Sequence, residues 1–447
     1  MKNYQKIAIV LVSISLTGLL GKSSSTESAV NQSFQGWFLN LIQDEGRKLP
    51  QPPVQNSAIS HFFSQATDKS IEDCEPKTSE PNFLVLAGGA TPQSNEIALE
   101  KNVLYFQRTL KNMGFKSPST SIFFANGNNG EASIRYIDPQ RNQRFKVPNI
   151  PGLNGSSSLK NINGWIDNIN QNKEAKKPIF LYFTGHGILN ERNSDNNALM
   201  LWNNTPVTVA KLSNTLDKLP QDSHIVTMMA QCFSGSFANY IYQDGNPNQP
   251  LTKQTRCGFF ATIKTLPSVG CTPEVNEADY KDYSSSFFAG LSGVSRIGQK
   301  VASADYNQDG RISYSEAHAF AKIDEKTSDL PVSTSEVWLQ QKASEEDINQ
   351  LFNTPIIELQ KIARPQQKYV IDSLVSLFQF DPEKSYMENL ETLQPYQVAT
   401  TAQQAYKIRL LMELLNVRME QKVRQSDNEQ EIAILERLID CESSSWK

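Results

Sequence analysis

The sequence predicts an α/β fold, a mostly parallel sheet flanked by helices. Three observations predict it. Between residues 83 and 232, short apolar runs alternate with segments of helical period. The runs are rich in β-branched and aromatic residues and bounded by Pro or Gly, the pattern of strands buried on both faces. Two of them, Lys177 to Gly187 and Ser223 to Ser236, stop at small residues with His186 and Cys232 at the stop. In open α/β sheets, chemistry sits just past the carboxyl ends of the strands.

Taken in order, Phe83 to Gly89 reads as the first buried strand, ending in a Gly turn. From Asn95 a helix follows, with Leu99, Val103, Phe106, Leu110 and Met113 on one face and Gly114 as its C-cap. Ser121 to Ala125 is the next strand, which completes a βαβ crossover. Residues 126–157, dense in Gly, Asn and Pro, read as a long surface loop. Leu159, Ile162, Ile166 and Ile169 mark a second amphipathic helix before the strand into His186. Ala198 to Trp202 is a short strand; Val209, Leu212, Leu216 and Leu219 form a helical face closed by Pro220, and the strand into Cys232 begins. The small residues after Cys232 open an apolar helix, whose N-terminal amides would favour a thiolate or an oxyanion. Arg256 to Thr262 reads as a further strand and Tyr283 to Leu291 as a helix.

The termini differ in character. A basic start and the apolar run Ile7 to Leu20 read as a signal peptide over residues 1–28, or as an anchor if uncleaved. The run is short for a bilayer span, and no later segment could make one. The protein is therefore expected to be exported, to a periplasmic or extracellular space, without membrane contact beyond that anchor. Residues 29–80, rich in Ser, Gln, Asn and Pro, read as a linker or pro-segment carrying His61. Residues 336–447 read as an α-helical region with Leu410, Leu411, Leu414, Val417, Ile432, Leu435 and Ile439 at helical spacing. The 43 Lys and Arg against 47 Asp and Glu argue against charge-driven binding of nucleic acid.

A thiol needs a base or a positive neighbour to become a nucleophile, and an imidazole supplies either. His224, at the opposite end of the Cys232 strand, is a poor base, and His318 reads as structural. The apolar block into Thr184-Gly-His186-Gly187, followed 46 residues after the histidine by Ala230-Gln-Cys232-Phe-Ser-Gly235, resembles the caspase–legumain superfamily of cysteine endopeptidases, over residues 81–335. The Ala-Gln-Cys order departs from caspases proper and is closer to the legumain and bacterial caspase-like branches. The resemblance implies a three-layer α/β/α sandwich and protein or peptide substrates. It implies Cys232 as nucleophile, His186 as acid/base, and the N–H groups of Gly187 and Cys232 as oxyanion donors. Asn95 is the nearest match to an Asn that legumain-type enzymes place after the first strand. Arg256, or Asp279, Asp282 and Glu277, would set a basic or acidic specificity pocket. Two alternatives stay open: a Cys-dependent transpeptidase, and a calcium-stabilised interaction protein with a vestigial Cys–His pair.

Asp305-Tyr-Asn307-Gln-Asp309-Gly310-Arg311-Ile-Ser313-Tyr-Ser-Glu316 matches the EF-hand loop at every fixed position. Asp305, Asn307, Asp309, the Arg311 carbonyl and Glu316 would bind Ca2+, with Ser313 at the ninth place. Five cysteines leave four to pair once Cys232 is set aside, in any of three ways. Cys257 with Cys271 would close a short loop, and Cys74 with Cys441 would join the ends.

Overall fold

The computed structural model describes Phe38 and residues 80–116, 118–171, 177–393 and 400–446. The expected signal peptide, His61 and Cys74 lie outside the described residues. Twelve strands are described: β1 Asn82–Gly88, β2 Thr120–Phe124, β3 Ile134–Ile137, β4 Gln143–Lys146, β5 Leu153–Gly155, β6 Ile179–Gly185, β7 Gly187–Ile188, β8 Ala198–Leu201, β9 Thr205–Thr208, β10 His224–Ala230, β11 Thr255–Phe260 and β12 Val332–Ser333. Seven form the central sheet, in the order β12-β11-β10-β6-β1-β2-β5, parallel throughout except for the antiparallel edge strand β12.

Alternation along each strand sorts side chains onto two faces. Leu84, Leu86, Leu181, Phe183, Ile225 and Met229 point to one core, where they meet α2 (Leu159–Gln171) and α3 (Val209–Leu216). Phe83, Val85, Phe180, Tyr182, Val226 and Met228 point to the other, with α1 (Ile97–Asn112), α4 (Tyr283–Ser292) and α5 (Tyr314–Asp324). Helix, sheet and helix thus make three layers, and the two cores explain why the strands read as unbroken apolar runs.

Beyond β12 the chain continues as α6 (Thr334–Gln340), α7 (Glu345–Asn353), α8 (Ile356–Ile362), α9 (Pro365–Phe378), α10 (Tyr386–Thr392), α11 (Thr401–Arg424) and α12 (Glu429–Glu442). These helices extend the first core; Leu410, Leu411, Leu414 and Leu435 are fully buried in it. The chain then crosses to the second core, where Trp446 packs edge-on against Phe83, Phe106 and Phe180, with ring centroids 5.1–5.6 Å apart. A disulfide joins Cys257 on β11 to Cys441 on α12.

Three expectations are corrected. Cys257 pairs with Cys441 and not with Cys271, because α12 returns alongside β11 whereas the chain after β11 runs away over the end of the sheet. That also removes the Cys74–Cys441 bridge. The stretch 126–157 is not a plain loop: β3 and β4 form an antiparallel hairpin, and β5 adds a parallel edge strand beside β2. After Cys232 the chain makes a 3-10 helix, Ser234–Ile241, in place of an α-helix.

Candidate active site

The sheet register brings the two key loops to one level. Thr184 on β6 pairs with Ala230 on β10, so His186 and Cys232 each stand two residues past the same rung. Gly187 lets the loops close: a Cβ there would lie 2.0 Å from the Cys232 carbonyl oxygen. Met200 N–H donates to the His186 carbonyl, which makes 186 and 200 a bonded antiparallel pair. Gly187 and Leu199 are then the non-bonded pair, and the Gly187 N–H points away from β8.

Cys232 is held by a constrained turn. Phe233 sits in the left-handed region at φ 60°, which a bulky side chain rarely adopts. Its N–H donates to Leu266 O at 2.9 Å, and Asn197 Nδ2 donates to the carbonyls of Phe233 and Lys264. The Cys232 thiol faces Ser268: its Sγ accepts from the Ser268 N–H at 3.3 Å and lies 3.5 Å from the Ser268 carbonyl. Burial pushes this thiol above its ordinary pKa, against the lowering effect of the Ser268 N–H. Asp329, buried, anchors the same loop through Ser268 Oγ and Val269 N–H.

His186 is oriented by two acceptors. Its Nε2 lies 2.7 Å from Ser94 O and 3.0 Å from Glu96 Oε2. A carbonyl only accepts, so Nε2 carries a proton and Nδ1 is the nitrogen left for proton transfer. Glu96 is fixed in turn by Arg135, whose guanidinium lies 2.6 Å from Oε1. Burial disfavours the imidazolium, but hydrogen bonding to Cys271 and Glu96 overcomes it and pushes His186 up to about 11. Burial likewise raises Glu96, and His186 and Arg135 outweigh it, leaving the carboxyl below its usual range.

Asn95 lies in the turn before α1. Its Oδ1 accepts from Gly89 N–H at 2.9 Å and its Nδ2 donates to Ser133 O, so it shapes the turn that presents Ser94 and Glu96. Glu96 and Cys271 are the residues that sequence reasoning missed. Cys271 is exposed and free, with its Sγ 3.8 Å from Gly185 O. Its segment runs across the strand ends: Ala98 N–H donates to Thr272 O and Ile137 N–H to Pro273 O.

The residues expected to set a pocket charge are each engaged by neighbours. Arg256 pairs in register with Ile225 at the amino-terminal end of β10, buried on Asp217, Ser213 and Tyr240. Asp282 caps α4 through Ser285 N–H. Glu277 pairs with Lys101, Arg108 and Arg296, and Asp279 with Asn276.

The 305–316 loop has the turn of its motif, with Gly310 at φ 82°. Asp305 accepts from Asp309 and Gly310 N–H, Asn307 from Asp309 N–H, and Asp309 from Arg311 N–H. Glu316 closes the loop: Oε1 accepts from Tyr306 and Asn307 N–H, and Oε2 from Ser313 N–H and hydroxyl. Its all-oxygen donor set suits a hard cation. To bind one bidentately, Glu316 has to release these amides. α4 ends at Ser292, so no helix leads directly into the loop. No helix among the described residues is long and apolar enough to cross a membrane.

No protein-family model matches this chain, and no curated protein matches it in sequence.

Proposed function

We propose that the chain is an exported cysteine endopeptidase of the caspase–legumain type, held in a latent state. The observation that carries the reading is the placement of His186 and Cys232 just past the carboxyl ends of hydrogen-bonded parallel strands, with the His186 ring oriented by Ser94 and Glu96. In the reaction Cys232 Sγ attacks the scissile carbonyl as its proton passes to Nδ1 of a neutral His186. The resulting oxyanion is held by the N–H groups of Gly187 and Cys232. His186 Nδ1 delivers a proton to the departing amine, and water then hydrolyses the acyl-enzyme. Glu96 keeps the imidazolium in place during the step. The Cys257–Cys441 bridge supports export, since such bridges persist in oxidising compartments.

Two contacts support latency. The Ser268 backbone lies against the nucleophile, and Cys271 holds His186 in the charged form, which cannot accept the Cys232 proton. Displacing the 268–273 segment frees both groups. The test is a diverse peptide pool incubated with full chain before and after limited proteolysis, read by mass spectrometry beside Cys232→Ala. Cuts that vanish in the variant are expected. Their absence in every state would favour the interaction-scaffold reading, and amide transfer to added amines the transpeptidase.

We also propose that Asp305, Asn307, Asp309, the Arg311 carbonyl and Glu316 bind Ca2+, whose charge would offset the three carboxylates. Calcium is then expected to raise the Tm by mass action. Asp305→Ala combined with Asp309→Ala should abolish the rise. An unchanged rise would put the ion elsewhere.

A further inference from the structure

We propose that Glu96, His186 and Cys271 form a binding site for a divalent cation of the zinc class. A carboxylate oxygen, a ring nitrogen and a thiol sulfur from these residues lie within 4.8 Å of one another. They come from three separate places in the chain: the turn before α1, the loop after β6, and the loop after β11. One N, one S and one O donor suit zinc, whose bonds to them run about 2.0–2.3 Å, which puts tetrahedral ligands about 3.4 Å apart. The Glu96 and His186 atoms, 3.0 Å apart, already lie within that spacing, and the cluster is completed by the thiol. Cys271 is the ligand free to close it, being exposed on a loop, whereas Glu96 and His186 are held by other partners.

The partner behind Glu96 matches what a metal site requires. Arg135 fixes Glu96 through Oε1 and leaves Oε2 toward the cluster. Such outer partners set ligand direction and strengthen binding. A cation there, with one carboxylate, one thiolate and a neutral imidazole, forms a site of no net charge. Zinc takes thiolate and neutral imidazole, and the ring nitrogen facing Glu96 is Nε2, so loading displaces the proton that Nε2 shares with Ser94 O and Glu96. A second grouping, His224 with Cys257 and Cys441, is not equivalent: its two sulfurs are joined to each other and offer no thiolate.

The consequence rests on the peptidase reading: a cation on His186 removes the acid/base group and holds the 268–273 segment over Cys232. Zinc would keep the enzyme off, and a chelator would release it.

The experiment uses the full chain titrated with Co2+, whose spectrum reports thiolate ligation and tetrahedral geometry. A sulfur-to-metal band is expected in the wild type and in Cys232→Ala. It should disappear in Cys271→Ser. In Glu96→Gln affinity should fall by more than the about 10–100-fold that losing a supporting partner costs. Metal-free melting curves of both variants check that they fold. A band surviving Cys271→Ser, or lost in Cys232→Ala, would overturn the ligand set. So would an intact-mass measurement showing Cys271 bridged to Cys74. Peptide cleavage is read in parallel: zinc inhibition that Cys271→Ser relieves joins the two proposals. Metal binding without cleavage in any state sinks the peptidase reading and leaves the site standing.

Discussion

Two histidines in this protein each touch a glutamate, and the contacts have opposite effects. His186 lies 3.0 Å from Glu96 and is pushed above its ordinary pKa; His318 lies 3.2 Å from Glu336 and is pushed below it. His318 is sealed in the core, where burial disfavours the imidazolium more than Glu336 favours it. Its carboxylate is also shared, because Lys322 binds Glu336 and, at 2.6 Å, Glu413. Tyr283 OH stands 2.6 Å from His318 Nδ1, a donor suited to the neutral ring. Around His186 the arrangement is reversed. The cation, Arg135, sits behind the carboxylate, and a thiol adds a second partner for the imidazolium. A His–carboxylate distance alone therefore says little about charge. What decides it is the depth of burial and whether the further neighbour facing the ring is a cation, as Lys322 is for His318, or a thiol, as Cys271 is for His186.

The sharpest way to break the comparison is Lys322→Met. It leaves Glu336 and Glu413 buried without their cation, and a loss of about 3–5 kcal/mol is expected in urea unfolding at neutral pH. In the same variant His318 should titrate higher, which imidazole NMR would read. An unchanged His318 would mean that burial alone sets it.

Glu96→Gln acts on the open member of the pair, with a smaller expected loss, about 1 kcal/mol. Its pH window follows from the two directions. The Glu96 share is complete above the usual carboxyl value of 4.5 and is lost as pH falls through its lowered pKa. The His186 share is complete below 6.5 and is lost as pH rises towards about 11. The stability gap between wild type and variant should thus be widest between pH 4.5 and 6.5 and shrink on either side. A gap that stays flat from pH 3 to 9 would show that the contact carries no charge.

Much of the central sheet was legible because both its faces are buried. Unbroken apolar runs gave β1, β6 and β10 to within a residue or two, and the small residues at their ends pointed to His186 and Cys232. Glu96 was hidden by distance. It meets His186 only through the pairing of β1 with β6, 90 positions away along the chain, and no local period marks it. The one available signal was an acid at the start of the helix that follows the first strand. Cys271 was obscured by cysteine counting, which favours short loops, whereas the observed bridge spans 184 positions. Arg256 was offered as a pocket residue for its charge alone, but it stands near the amino-terminal end of a parallel strand, opposite the end that carries His186 and Cys232.

Trp446 has a consequence for synthesis. The second core is built mostly from residues 83–321, yet the indole that fills its centre comes from near the end of the chain described. The chain must therefore be made through residue 446 before that core can close. Until then β1 and β6 lack their last packing partner, so the fold stays soft until that point of its translation.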